Sequence, residues 1–430
     1  MEENSITQLT AVLIGAGARG VGAYAQFALD YPYELKFVAV AEPDQLRREK
    51  FAREYEIPAD QCYESWEQLL DEDQLADIAL ICTMDKMHYE PTLKALNKKY
   101  HVLLEKPMSP DPRECLEMEQ AARDNNRLLS ICHVLRYTPF WRTIKQLLQE
   151  GRIGDIASIQ LNENVGYWHI AHSFVRGNWN NSNTTSPMIL SKSCHDMDVL
   201  SWLMEQPCIR VNSYGSLMHF NIANAPEGSA ERCLDCKVES TCPYSAPRFY
   251  LSKQYTNWAR HFTPELTKEN IVRGLRETDY GRCVYRSDNN VVDHQVVGME
   301  FASGATAMFS MCGFTFDQER RIQIMGTRGE LRGDDNTITL YDFLTHQKTE
   351  ITIPAQTSGH GGGDAGIVRS FLNDVRNYSS QETLTSAAAS VRSHLMAFAA
   401  EVSRLEGGKS IELEAFAREL LAGLQPLQAR

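Results

Sequence analysis

The chain has 430 residues, 43% of them hydrophobic and 23% charged, the balance of a soluble globular protein with room for two domains. A net charge of -13 argues against nucleic acid or an anionic membrane as a partner. The polar, acidic start (MEENSITQLT) lacks a signal-peptide pattern, no run reaches the roughly 18 apolar residues of a spanning helix, and eleven scattered cysteines fit reduced thiols, so a cytoplasmic location is expected.

Residues 11–14 read as an apolar strand that runs into Gly15-Ala-Gly17-Ala-Arg19-Gly20, after which apolar residues recur with helical spacing. In such a strand–turn–helix Gly15 allows the tight turn and Gly17 the approach of a pyrophosphate. Gly20 lets the helix pack on the strand, and the unpaired N–H groups of the helix start face the phosphates. Arg19 belongs to the same cofactor turn. A second strand, LKFVAVA, ends at Glu42, the place of an acid that accepts from ribose hydroxyls and repels a 2′-phosphate. NAD is therefore expected over NADP, with Arg47 and Arg48 keeping NADP as the alternative. Strands DIALICT, HVLLEK and LLSICHVL alternate with helices HYEPTLKALNKKY and PRECLEMEQAARDNN. This rhythm predicts a doubly wound parallel sheet over residues 1–135, with its ligand crevice at the carboxyl ends of the strands. Thr83, His88 and Lys106 fall just past such ends and are site candidates.

From residue 136 the pattern changes. Gly151 and Gly154 end a helix, and IASIQLNENVG begins strand alternation. YWHIAHSFVRGNWNN gathers Trp168, His169, His172 and Arg176 with further aromatic and amide side chains. Aromatic faces beside such donors suit a pyranose ring, and the same composition suits a dimer interface. His169 and His172 are also a conceivable metal pair. Residues 291–314 predict a hairpin closed near Ser303-Gly304, and residues 320–343 further strands. A glycine loop carrying His360 then leads into a helix opened by Asp364, and two more helices follow over 386–406 and 412–424.

Three motifs, GAGARG at 15–20, Glu105-Lys106-Pro107 after a strand, and CHDMDVLSWL at 194–203, together resemble the Gfo/Idh/MocA family (glucose–fructose oxidoreductase/inositol dehydrogenase) over essentially the whole chain. The resemblance implies an α/β protein: an N-terminal Rossmann domain, then over 136–430 an α+β domain with a large open, mostly antiparallel sheet. The C-terminal helices are expected to pack back on the first domain. It implies NAD(P) and a hydroxyl or carbonyl of a sugar, cyclitol or related polyol as substrate; a homo-oligomer, dimer or tetramer, is expected. Lys106 matches the lysine between nicotinamide and substrate, where an ammonium stabilises developing negative charge, and Glu105 lies beside it in the cofactor set. Pro107 fixes that turn, through a cis bond in relatives. His195 matches the histidine of His-x-x-Asp, a base with a neutral-range pKa, and Asp198 the acid that orients the ring or braces the helix.

Many relatives carry an aspartate four residues before this histidine; here it is Ser191, followed by Lys192. Lys192, a water or a metal must do part of that carboxylate's work. Trp168, His169, His172, Arg176, Lys192 and Asp198 make up the expected substrate side. The functions implied are an NAD-dependent dehydrogenase, an NAD-recycling glycosidase or lyase, or a non-catalytic NAD-binding regulator. Intact Lys106 and His195 speak against the last.

RCLDCKVESTCPYSAPRFY holds Cys233, Cys236 and Cys242 at the spacing of a metal knuckle, and Cys283 in YGRCVYR is the expected fourth ligand. Structural zinc is expected, with an iron–sulfur cluster as the alternative, clipping an insertion over about 223–285 that has few apolar residues of its own.

Overall fold

The computed structural model describes residues 7–354, 359–378 and 383–422. Six strands form the first sheet: β1 (Leu9–Ile14), β2 (Leu35–Ala41), β3 (Cys62–Tyr63), β4 (Ile78–Ile81), β5 (His101–Leu104) and β6 (Leu129–Ile131). Their order is β3-β2-β1-β4-β5-β6, and every pairing is parallel. β4, Ile-Ala-Leu-Ile, is buried at each position, as a strand covered by helices on both faces must be. Strand order reverses between β1 and β4, so a crevice opens where their carboxyl ends diverge. The helix after β1 starts with a wide π-type turn, Ala18–Ala25, and continues as Gln26–Asp30.

The second sheet contains β7 (Ile156–Asn164), β8 (Cys208–Ser216), β9 (His294–Phe301), β10 (Thr306–Cys312), β11 (Glu319–Gly326), β12 (Gly329–Gly333), β13 (Thr337–Asp342), β14 (Lys348–Thr352) and β15 (Ile411–Glu412). The order is β14-β13-β12-β11-β7-β10-β9-β8-β15, antiparallel except for β7 beside β10. Alternation sets the buried face: Gln295, Val297, Met299 and Phe301 of β9 point inward between more exposed neighbours. The β9–β10 hairpin closes as expected, with Gly304 at φ +85°.

Helices tie the two sheets together. Helix Ala387–Leu405 lies on β8 and on helix Cys194–Met204, and also touches helix Pro112–Asp124 of the first domain. Helix Gly363–Arg376 sends Ile367, Val368, Phe371 and Leu372 into the core around Phe27 and Tyr137. The last expected helix is seen as Leu413–Ala422; residues 423–424 lie outside the described residues, as do 1–6 of the polar start. The cysteine insertion has a small core of its own: Cys233, Ala246, Tyr250, Ala259, Ile271 and Leu275. Among the described residues no helix is long and apolar enough to cross a membrane.

Candidate active site

The glycine turn fits a dinucleotide. Gly15 has φ +93°, and a Cβ there would stand 2.6 Å from the Cys82 carbonyl oxygen; at Gly20 it would stand 2.4 Å from the Gly15 oxygen. Above Gly17 nothing lies within 4 Å, which is the open approach a pyrophosphate needs. Glu42 is buried, and its carboxylate accepts from the N–H groups of Ala16 at 2.8 Å and Asp44 at 3.0 Å. The acid expected to read the ribose therefore also braces the turn. Arg47 comes within 4.0 Å of the same carboxylate.

Arg19 and His88 have other partners. Arg19 pairs with Glu105 at 2.6 Å and Asp364 at 3.1 Å, and donates to Tyr24 Oη at 2.6 Å. Burial pushes the Glu105 carboxyl up, but the Arg19 and Lys106 charges and the bonds from Arg19 and Tyr24 outweigh it and leave it below its usual range. His88 is buried with Nδ1 2.8 Å from the Pro107 oxygen and Nε2 3.1 Å from the Thr83 oxygen, so it locks the loops after β4 and β5 together. The Thr83 hydroxyl donates to the Met87 carbonyl at 3.0 Å.

Lys106 and His195 meet from opposite domains. The Lys106–Pro107 bond is cis, and Lys106 Nζ donates to the Ser191 carbonyl at 2.8 Å. His195 opens helix Cys194–Met204; its ring lies between His133, 5.9 Å away, and His360, 6.2 Å away. Burial, then the charges of Lys106, His133, His360 and Arg320, hold its pKa well below the ordinary histidine range. This departs from the neutral-range pKa expected for His195 and favours the neutral imidazole. His360 lies on the glycine loop, with Nδ1 3.1 Å from Asp364.

Of the two roles expected for Asp198, orienting the ring or bracing the helix, its contacts fit the second. It takes both donors of Arg136 at 2.7 Å and is 1% exposed; its other neighbours are the Ser393 hydroxyl at 3.5 Å and His133 Nε2 at 3.7 Å. It braces the helix from behind. Ser191 returns its hydroxyl to the Pro187 carbonyl. The carboxylates near His195 come instead from Glu163 on β7, which pairs with Lys192 at 2.9 Å and Arg320 at 2.8 Å, and from Asp196, paired with Arg320 at 2.7 Å. Burial pushes Asp196 up to about 6 despite Arg320.

Residues 9–133 match the family described as "Oxidoreductase family, NAD-binding Rossmann fold", and residues 145–414 match "Oxidoreductase family, C-terminal alpha/beta domain". The chain belongs to the Gfo/Idh/MocA oxidoreductase family. YteT of Bacillus subtilis (strain 168) is 25% identical over 312 residues, 67% of this chain and 70% of that protein. The 2,7-anhydro-N-acetylneuraminate hydratase of Escherichia coli (strain K12) is 26% identical over 273 residues, 62% of this chain and 69% of that protein. The crystal structure of an oxidoreductase from Agrobacterium radiobacter in complex with NAD+, L-tartaric acid and magnesium has the same fold, with a TM-score of 0.70 at 15% identity over 95% of this chain and 100% of that one. This protein is thus an NAD(P)-dependent oxidoreductase of the Gfo/Idh/MocA type.

On the substrate side, this Gfo/Idh/MocA chain uses the 167–176 stretch differently from expectation. His172 is buried with Nδ1 2.6 Å from Tyr250 Oη, among Trp258 and Tyr280. Burial, with His261 and Arg176 nearby, drives it down to about 2. Arg176 is 5% exposed and bonded to the carbonyls of Arg282 and Tyr244 at 2.7 Å. Both residues anchor the insertion, which folds over them, and Arg176 also lines the pocket beside Trp168. Trp168 stacks near Phe249 and Tyr255 and borders a pocket of about 220 Å³ together with Tyr244, Arg248 and Gln254. His169 is half-buried; desolvation and the Lys192 charge lower its pKa well below the ordinary range.

The four cysteines converge. Cys233, Cys236, Cys242 and Cys283 all line one cavity of about 20 Å³. Among the described residues, however, no group of three or more His, Cys, Asp or Glu side chains is gathered closely enough to hold a metal ion. The side-chain placement therefore does not support the zinc ligand set expected from the spacing, nor the His169–His172 pair.

Proposed function

We propose that the protein is an NAD-dependent dehydrogenase that oxidises a hydroxyl of a sugar, cyclitol or sugar derivative. The observation that carries this reading is Lys106, from the turn after β5, held by the Ser191 carbonyl just before the helix that carries the buried His195, whose ring feels the Lys106 charge. Bound NAD supplies a hydride acceptor. Gly15, Gly17 and Gly20 would hold its pyrophosphate, and Glu42 the ribose diol of an unphosphorylated cofactor. His195 would take the hydroxyl proton, and the Lys106 ammonium would steady the negative charge growing on that oxygen. Lys192, held by Glu163 and lining the same side as His169, is the substrate-side cation. His172, Arg176 and Asp198 act on position only.

A second reading keeps the same residues but returns the hydride within each turnover, as an NAD-recycling lyase, hydratase or glycosidase. The hydratase relative and the serine at 191 favour keeping it in view. One experiment separates the two: sugars, cyclitols and glycosides are screened while NADH absorbance and product are both followed. Stoichiometric NADH is expected. Product without net NADH would move the assignment to the recycling reading, and neither signal with any polyol would remove both.

A further inference from the structure

We propose that the aromatic pocket beside Trp168 is a second sugar subsite, so that the substrate is a glycoside. One unit brings the reacting hydroxyl to Lys106 and His195, and the ring joined to it lies in the pocket; this rests on the reading of those two residues given above. Two parts of the chain build the pocket of about 220 Å³. Tyr167 and Trp168 follow β7, whereas Tyr244, Phe249 and Tyr255 come from the cysteine insertion. That wall is held in place by Arg176, which donates to the Tyr244 carbonyl, and by His172 against Tyr250 Oη. The insertion thereby gains a use: it carries one side of the subsite.

The lining suits a pyranose, whose C–H faces pack on aromatic rings while its hydroxyls seek donors and acceptors. Both kinds of partner are present. Trp168, Phe249 and Tyr255 form one aromatic cluster, with ring centroids 4.7 to 5.9 Å apart. Phe316, 81% exposed, carries the aromatic surface out to the rim by packing on Tyr167 at 6.4 Å. Among the described residues, Tyr167 Oη, Tyr244 Oη, Arg248 Nε and Gln254 Oε1 have no hydrogen-bond partner, which leaves them for sugar hydroxyls. No acid lines the pocket, which disfavours an amine or a basic peptide as its occupant.

A row of side chains joins this pocket to the reacting end. The Trp168 ring stacks on His169 with centroids 5.4 Å apart, and the Lys192 charge bears on His169. Lys192 pairs with Glu163, Glu163 with Arg320, and the Arg320 charge reaches His195. His169 and Lys192 therefore stand between the pocket and His195. One ring is too short to fill both ends, and two joined rings are not.

The probes are disaccharides in α and β linkage and their component monosaccharides, added to full-length protein saturated with NAD. Tryptophan fluorescence should find the best disaccharide bound about tenfold or more tighter than either component. In saturation-transfer NMR, irradiating the protein's aromatic protons should mark C–H protons of both rings. Trp168→Ala and Tyr255→Ala should each erase the disaccharide's advantage, and Trp168→Phe should keep most of it. Arg248→Ala, at the exposed rim, should cost about threefold. The comparison on the unaltered protein needs no variant, so a misfolded Trp168→Ala does not decide the matter. Monosaccharides bound as tightly as every disaccharide, no binding of either size, or an advantage that survives in folded Trp168→Ala and Tyr255→Ala would each overturn the subsite. So would a dimer that Tyr255→Ala and Phe316→Ser dissociate, because the aromatic face would then be an interface. Tight disaccharide binding with turnover intact in Lys106→Ala and His195→Ala would keep the subsite and remove the chemistry assigned to those residues.

Discussion

Lys106 Nζ reaches across the crevice to the Ser191 carbonyl at 2.8 Å, so the Rossmann domain's cation is held by the backbone just before the helix that carries His195. A carboxylate at residue 191 would capture this ammonium; a backbone carbonyl leaves it freer to move to a substrate oxygen. Lys106→Ala and His195→Ala should each lose on the order of 10²-fold or more in turnover, with NAD affinity nearly unchanged. Turnover and NAD titration on the same preparations check this. Near-normal turnover in either variant removes that residue from the chemistry.

Glu42 predicts cofactor choice. Its carboxylate already accepts two backbone N–H groups, so a 2′-phosphate would meet a fixed anion. Calorimetry should find NAD bound at least about tenfold tighter than NADP, a difference of about 1.4 kcal/mol, and Glu42→Gln should narrow the gap while keeping an acceptor for the turn. Tighter NADP binding would shift the reading to Arg47 and Arg48.

Local signals explain what was legible in the sequence. The glycine turn, the strand ends at Thr83 and Lys106, and the hairpin at Ser303-Gly304 depend on residues adjacent in the chain, and all occur where the pattern puts them. Long-range pairing was not legible. Nothing local says that Asp198 faces Arg136, 62 residues away, or that Arg320 from β11 joins Asp196 to Glu163. A signal for Glu163 and Arg320 did exist: a charge at an inward position of a strand alternating apolar and polar residues must find a buried partner. The helical stretch 167–176 misled because its aromatic and basic residues fit a sugar and an anchored insertion equally well. Only the contacts of His172 with Tyr250 and of Arg176 with Tyr244 decide between them.

The Arg136–Asp198 pair should be a strong stability element. Both groups are almost fully buried, and the Arg136 charge offsets the burial that would otherwise push the Asp198 carboxyl up. Arg136→Met leaves an unpaired buried carboxylate and should cost about 3–5 kcal/mol in denaturant unfolding, whereas Arg136→Met with Asp198→Leu should recover a large part. Equal losses in the single and double variants would mean the pair matters through packing alone.

His394 links acid stability to the active-site turn. Its Nε2 accepts from the Met108 N–H at 3.0 Å while Nδ1 donates to the Ser390 carbonyl at 2.8 Å, so the ring must be neutral to hold the residue two beyond Lys106. Burial, with nearby His133, lowers its pKa to about 3, and burial lowers His133 to about 4, both from 6.5. The unfolded chain therefore binds more protons than the folded one once pH drops below about 6.5. The stability these rings contribute is complete above that pH and is lost as pH falls toward about 4, by up to about 1.4 kcal/mol per pH unit for each ring. Urea midpoints measured from pH 7.5 to 4.5 should be flat above 6.5 and decline below it. His394→Gln keeps an acceptor and a donor but cannot titrate, so its decline should be shallower by one ring's share; an unchanged slope would mean that His394 is not protonated on unfolding in this range.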